Sequence, residues 1–297
     1  MTIQRVGVMG CGLMGHGIAQ VAAQGGHEVL VVEADQTALE RGLARIDKSL
    51  AKLAQKQVEK GKASEEQARE RAAATRARIT GSLTRAEVAD CDLVVEAIVE
   101  DLGIKKELFR ELGALCKPET ILASNTSSFP IAEMGQASGR PANMVGLHFF
   151  NPVQLMRLVE VVRTPATSDE VFASARAFGE ACGKTPVACK DTPGFVVNRL
   201  LVPYMVQSLL MLERGDATAV DIDNAMKFGC GYPMGPIELT DYVGLDTTLS
   251  ILEGWVERYR DEPAFAIPKI LQAKVAEGQL GRKTGEGFYQ WEGDKKK

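Results

Sequence analysis

From Arg5 to Leu122 the chain alternates short apolar runs with amphipathic stretches, beginning with Val6 to Met9, Leu13 to Gln24 and Val29 to Val32. An apolar run, a helical pattern and a second apolar run form the rhythm of a βαβ unit, which requires a largely parallel sheet covered by helices. Further candidates for buried strands are Leu93 to Ala97, Ile121 to Ser124, Met144 to Leu147, Leu158 to Val162 and Pro186 to Cys189. Helical stretches such as Lys105 to Leu115 separate them. A long polar helical segment, Gln36 to Ala74, interrupts the rhythm and is expected to project as a helical hairpin. After Asp191, Thr192, Pro193 and Gly194 the strand signals stop, and amphipathic patterns follow at Phe195 to Arg214, Val220 to Phe228 and Leu245 to Tyr259. The expected organisation is an α/β domain over residues 1–190, with an inserted helical hairpin, and an all-α domain over residues 191–297.

With 297 residues, 45% of them apolar, the chain can bury the cores of two domains. Its net charge of −4 gives no general attraction for nucleic acid. No apolar stretch approaches the roughly 20 residues of a membrane-spanning helix, and the start of the chain lacks the pattern of a secretory signal. The expectation is a cytoplasmic protein without membrane insertion. The six cysteines are scattered, without metal-ligand or disulfide spacing, and are expected to be buried thiols.

Gly10, Gly12 and Gly15, with Leu13 and Met14 between the last two, form GxGxxG directly after the first strand. In a Rossmann-type domain the first glycine makes the tight turn, the second admits a pyrophosphate, and the third lets helix and strand pack closely. The helix N-terminus favours the anion. The next strand ends in Glu33, at the spacing expected for a carboxylate that accepts from an adenosine ribose. A carboxylate there repels a 2′-phosphate, so the expected cofactor is NAD rather than NADP. Gly61, Lys62 and Ala63 do not complete a P-loop, because the upstream glycine and the metal-binding hydroxyl are both missing.

On the hairpin, Lys48, Lys52, Lys56 and Lys60 recur every four residues and so form one slowly winding stripe. Like charges at that spacing destabilise a helix, which suggests attraction of a polyanionic ligand; a solvated face near Glu59, Glu65 and Glu66 is the alternative. His148 ends a strand candidate, where open α/β sheets place ligands, and Glu160 on the next candidate could orient its imidazole as a general base. Ser124, Asn125, Thr126, Ser127 and Ser128 end another strand with short polar groups, a pattern shared by turns and caps. Asn198 is open between helix capping and substrate contact.

Taken together, these segments resemble the short-chain L-3-hydroxyacyl-CoA dehydrogenases, including the bacterial 3-hydroxybutyryl-CoA dehydrogenases. The resemblance spans essentially the whole chain. It is carried by Gly10 to Gly15, Val94 to Glu100 (VVEAIVE), Ser124 to Ser128 (SNTSS), His148 to Val153 (HFFNPV) and Asp191 to Arg199 (DTPGFVVNR). Gly231 to Pro236 (GYPMGP), Asp241 to Thr247 (DYVGLDT) and Gly281 to Tyr289 (GRKTGEGFY) extend it.

The resemblance implies a Rossmann-type domain, a helical domain that forms a homodimer, and a cleft that closes on a coenzyme A thioester. It implies that His148 takes the 3-hydroxyl proton, that Glu160 orients it, and that Ser127 and Asn198 hold the substrate oxygen. Cofactor contacts carried over fall on Glu33, Glu100, Lys105, Ser127, Asn151 and Lys283, and coenzyme A contacts on Ser49 and Lys56. The expected reaction is NAD-dependent oxidation of (S)-3-hydroxyacyl-CoA, with 3-hydroxybutyryl-CoA the first candidate substrate, and its reverse. Acyl-chain preference stays open at this stage, 3-hydroxyadipyl-CoA included. A non-catalytic, crystallin-like NAD-binding protein is the alternative from another class. Glu33 departs from the aspartate of many relatives, but both can accept from ribose.

Overall fold

The computed structural model describes residues 2–297, which fall into two compact units, the first ending at Phe195 and the second beginning at Val196. The break lies five residues beyond the position expected from the sequence. The loss of strand pattern marks residue 190, but the chain returns to the first unit's core through Phe195, which is buried there. Phe195 adopts the left-handed region, with φ +54°, to do so. That conformation is uncommon for a bulky residue and persists only where surrounding packing imposes it.

The elements of the first unit are β1 (Arg5–Met9), α1 (Gly15–Gln24), β2 (Glu28–Val32), α2 (Gln36–Glu59), α3 (Glu65–Ala77), β3 (Ile79–Ser82) and β4 (Leu93–Glu96). They continue with α4 (Leu102–Leu115), β5 (Ile121–Ser124), α5 (Ile131–Ala137), β6 (Met144–Phe149), β7 (Leu158–Arg163), α6 (Asp169–Ala181) and β8 (Thr185–Lys190). The sheet order is β3-β2-β1-β4-β5-β6-β7-β8. Strand order reverses between β1 and β4, the switch point where ligands of open α/β sheets bind. β1 to β6 run parallel, β7 turns antiparallel to β6, and β8 runs parallel to β7.

Side chains alternate across the pleat. Val29, Val31 and Val95 join a core with α1 and α6, while Leu30, Val32 and Val94 join a second core with α4 and α5. Strands buried on both faces read as continuous apolar runs, which makes them visible in sequence. β3 is the strand that the sequence reading lacks. Its residues are Ile-Thr-Gly-Ser at the sheet edge, and only the first and last are buried.

The hairpin is α2 with α3. Asp35 starts α2 by accepting from the Ala38 amide at 2.8 Å, and Ser64 with Gln67 starts α3 through a reciprocal capping box. Each cap is worth about 1 kcal/mol. Only Leu39, Gly42, Ile46 and Leu50 of α2 are buried, so its later turns extend from the sheet.

The second unit holds α7 (Val197–Glu213), α8 (Ala219–Cys230), α9 (Pro236–Val243), α10 (Leu245–Arg258) and α11 (Lys269–Ala276), followed by a small hairpin, β9 (Trp291–Glu292) with β10 (Lys295–Lys296). Val206, Leu209, Ile237, Leu245, Leu252 and Leu271 centre its core. In the C-terminal lysine run, Lys296 Nζ lies 2.7 Å from Glu238 Oε2 and over the Tyr289 ring. Of the cysteines, Cys11, Cys91, Cys116 and Cys182 are buried as expected, but Cys189 is half-buried and Cys230 exposed. Among the described residues, no helix is long and apolar enough to cross a membrane.

Candidate active site

The glycine turn after β1 is shaped by close approach. Gly10 has φ +93°, and a Cβ there would lie 2.7 Å from the Ala97 carbonyl oxygen. A Cβ on Gly15 would lie 1.9 Å from the Gly10 carbonyl oxygen, so α1 packs against the turn only because that atom is missing. Gly12 differs, with no atom within 4 Å of its Cβ position. Leu13 is exposed, and no side chain caps α1 at Met14. Uncapped amides of the first turn beside open space are the arrangement that binds a pyrophosphate.

Glu33 follows β2 and is pinned beside this turn. Its Oε1 accepts from the Cys11 amide at 2.5 Å and its Oε2 from the Ala34 amide at 3.1 Å. The carboxylate oxygens keep further acceptor capacity for ribose hydroxyls. Turn, uncapped helix and carboxylate together fit an adenine dinucleotide.

Across the switch point, three charged side chains meet beneath the strand ends. Lys105, from α4, is 1% exposed and Glu96, the last residue of β4, is 0% exposed. Lys105 Nζ lies 2.5 Å from Glu96 Oε1 and 3.0 Å from Glu100 Oε2. Burial disfavours the Glu100 carboxylate, but the Lys105 charge and hydrogen bonds from Lys105, Thr126 and Ser127 outweigh it and hold the group below its ordinary value. Glu100 accepts from Thr126 Oγ1 at 2.6 Å, the Ser127 amide at 3.2 Å and Ser128 Oγ at 3.0 Å. The Ser124–Ser128 turn is thereby held on Glu100, while the Ser127 hydroxyl makes no hydrogen bond among the described residues.

The next strand carries the imidazole. His148 and Glu160 are direct partners in the antiparallel β6–β7 register, and Nδ1 lies 2.7 Å from Oε2. The carboxylate accepts, so Nδ1–H donates and the Nε2 lone pair is left as a base; this tautomer is assigned from the hydrogen bond. Both residues are buried, with His148 6% exposed. Phe150 and Phe195 flank the ring, with centroids 4.5 and 5.5 Å away. Asn125 Oδ1 accepts from the Phe149 amide at 2.8 Å and so ties the serine-rich turn to the histidine strand.

The remaining expected residues are placed as follows. Asn151 is exposed just beyond β6. Ser49 is half-buried and Lys56 exposed on α2, and none of Lys48, Lys52, Lys56 and Lys60 forms an ion pair among the described residues. Glu59, a proposed counter-charge, accepts from Gln55 instead. In the second unit, Asn198 lies inside the first turn of α7 and caps nothing there. Lys283 donates to Asp246 Oδ1 at 2.6 Å and Thr247 Oγ1 at 2.9 Å.

Sequence reasoning assigned no role to Glu96, Asn125 or Asp246. A carboxylate inside the apolar run Leu93 to Val99 is the signal that points to Glu96, since a strand buried on both faces holds a charge only with a partner.

A doubly wound sheet with an open glycine turn, a carboxylate after β2 and a buried His–Glu pair at the strand ends defines a dinucleotide-binding dehydrogenase. Residues 5–192 match the 3-hydroxyacyl-CoA dehydrogenase NAD binding domain, and residues 194–291 match the 3-hydroxyacyl-CoA dehydrogenase C-terminal domain. The chain belongs to the 3-hydroxyacyl-CoA dehydrogenase family. It is 49% identical to the human mitochondrial hydroxyacyl-coenzyme A dehydrogenase, over 97% of this chain and 91% of the relative. It is 47% identical to a probable 3-hydroxybutyryl-CoA dehydrogenase of Deinococcus radiodurans, over 97% of this chain and 100% of that protein. The crystal structure of (S)-3-hydroxybutyryl-CoA dehydrogenase from Ralstonia eutropha superposes with TM-score 0.91 at 36% identity, covering 98% of this chain and 100% of that one.

Proposed function

We propose that this protein interconverts (S)-3-hydroxyacyl-CoA and 3-oxoacyl-CoA, with His148 as the general base and acid. The observation that carries the reading is the buried His148–Glu160 hydrogen bond of 2.7 Å at the end of β6. NAD, when bound, supplies the hydride acceptor. His148 Nε2 takes the proton of the 3-hydroxyl as C3 is oxidised, and Glu160 stabilises the imidazolium that forms and keeps its orientation. In the reverse direction His148 returns that proton to the oxygen. Ser127 and Asn198 donate to the same oxygen, where negative charge develops during ketone reduction.

Glu33 accepts from the adenosine ribose, and its charge disfavours a 2′-phosphate. Glu100, Lys105, Asn151 and Lys283 are further cofactor contacts. Ser49 and Lys56 hold the phosphorylated end of coenzyme A; the unpaired lysine stripe of α2 supports this. A four-carbon acyl group is the first substrate to try. The second unit exposes Leu200, Val220 and Phe228, at 69%, 54% and 84%, and large exposed apolar groups support a homodimer through that unit.

The test follows nicotinamide absorbance with acetoacetyl-CoA and NADH, then NADPH, then free acetoacetate in place of the thioester. Rapid oxidation of NADH with the thioester alone is the expected result. Binding of NADH without turnover of any 3-oxoacyl-CoA, short, long or dicarboxylic, sinks the reading.

A further inference from the structure

Glu96 is a fully buried carboxylate beneath the strand ends, and the proposed chemistry gives it no part. Its two oxygens take three donors: Lys105 Nζ at 2.5 Å and the Ile98 amide at 2.9 Å on Oε1, and Ser124 Oγ at 2.6 Å on Oε2. Burying an ion pair is costly in water-excluded protein, and a hydrophobic pair of similar size is often as stable. A stability role therefore accounts poorly for the pair, and its connections are the more informative feature.

These connections lead to one place. Lys105 bridges the buried Glu96 to Glu100, whose side chain is 41% exposed. Glu100 accepts from Thr126, Ser127 and Ser128, at the far end of the serine-rich turn. Ser124, at the near end, donates to Glu96 and accepts from the Thr126 amide at 3.2 Å. The turn is thus clamped at both ends by two carboxylates that share one ammonium. Between the clamps the Ser127 backbone is fixed and its hydroxyl is unspent.

We propose that Glu96 is a positioning residue for the reaction, setting the Ser127 hydroxyl through Lys105 and Glu100 on one side and through Ser124 on the other. The inference rests on the Ser127 role given under Proposed function. Glu96→Gln keeps the shape but removes the charge, so Lys105 is left to the half-exposed Glu100 and draws it out of place. A displacement near 1 Å at a reacting group can cost about 100-fold in rate.

The test is a double-mutant cycle of Glu96→Gln and Ser127→Ala, read as kcat and KM for acetoacetyl-CoA together with Kd for NADH. Glu96→Gln is expected to lower kcat, read at saturating NADH, by about 10- to 100-fold, with KM for acetoacetyl-CoA changed less than about threefold and the NADH Kd raised as Glu100 is displaced. In the double variant the loss is expected to be no greater than for Ser127→Ala alone, because both changes remove one function. Additive losses, or a Glu96→Gln enzyme as fast as the parent, overturn the inference and leave the role of Ser127 intact. A fully active Ser127→Ala instead overturns the role of Ser127, and the positioning with it. If Glu96→Gln does not fold, Ser124→Ala releases one clamp while retaining the ion pair, and the same cycle is read with it.

Discussion

His148 and Glu160 stand opposite each other on β6 and β7, the one antiparallel pairing in the eight-stranded sheet, and their side chains meet at 2.7 Å. In a register pair the partners' side chains leave the same face of the sheet, so the strand ladder sets the imidazole's orientation before any ligand arrives. His148→Ala should therefore lower kcat by about three orders of magnitude or more, with the NADH Kd nearly unchanged. Glu160→Gln should lower kcat by a smaller factor, because Nε2 survives while its tautomer is no longer fixed. Steady-state kinetics and NADH fluorescence titration check both, and wild-type turnover by His148→Ala rules out the proposed base.

What could be read in the sequence follows from how each group is buried. β1, β2, β4 and β5 lie between helices on both faces, and their apolar runs give them away. β3 has a polar residue and a glycine at its exposed middle positions, so period and composition are both silent. The His–Glu pair was legible as two residues on neighbouring strand candidates, but its antiparallel register is a property of sheet assembly. The clamp on the serine-rich turn joins Glu96 and Glu100 to residues more than twenty positions away, and no local pattern encodes such a meeting. The roles of Asn198 and Lys283 rest on resemblance, since neither stands out from its surroundings by type or spacing.

The role proposed for Glu33 is to set cofactor choice by charge. Replacing it with alanine removes both an acceptor for the ribose and the repulsion of a 2′-phosphate. The ratio of kcat/KM for NADH to that for NADPH should fall by about tenfold or more, mostly through KM. Measured ratios that stay within a factor of two would assign the selectivity elsewhere.

The role proposed for the stripe on α2 is attraction of an anion by charge that water screens. Lys56→Ala should raise KM for acetoacetyl-CoA about fivefold at low ionic strength, near 1 kcal/mol. The difference should shrink as salt shortens the Debye length from about 10 Å towards 3 Å. A comparison with Lys62→Ala, a lysine outside the stripe, separates this effect from a general change in protein charge. Equal KM values for the two variants across the salt series would leave the stripe a solvated surface.

Glu100 makes the first unit sensitive to acid. Its carboxyl lies below the ordinary value of 4.5 in the folded protein, because Lys105 and the serine-rich turn outweigh its burial. A carboxyl depressed by folding contributes stability that is fully present above its unfolded value and is lost as pH falls through the folded one. The stability difference between the parent and Glu100→Gln should therefore narrow as pH falls from about 6 to about 3. Urea unfolding at several pH values measures it; a difference that widens towards acid contradicts the sign.

The last segment of the chain hangs on one carboxylate. Asp241, in α9, is 0% exposed and accepts from the Phe288 and Tyr289 amides at 2.8 Å each and from Trp291 Nε1 at 2.9 Å. Neighbouring glycines allow the approach: a Cβ on Gly281 would lie 2.3 Å from the Asp241 carbonyl oxygen, and one on Gly287 2.3 Å from its Oδ1. Asp241→Ala leaves three donors without an acceptor in a water-poor site, at about 1–3 kcal/mol for each group that stays buried. The expected loss in the second unit is about 3–5 kcal/mol, less if the segment peels away and its amides reach water. Asp241→Asn retains one good acceptor for two of the donors and should lose less than half as much. Urea midpoints give the magnitudes, and protease cleavage between Gly285 and Trp291 reports peeling directly. A loss below about 1 kcal/mol for Asp241→Ala, with no new cleavage, would mean that the segment is held by its other contacts, among them Tyr289 Oη donating to Asp223 at 2.6 Å.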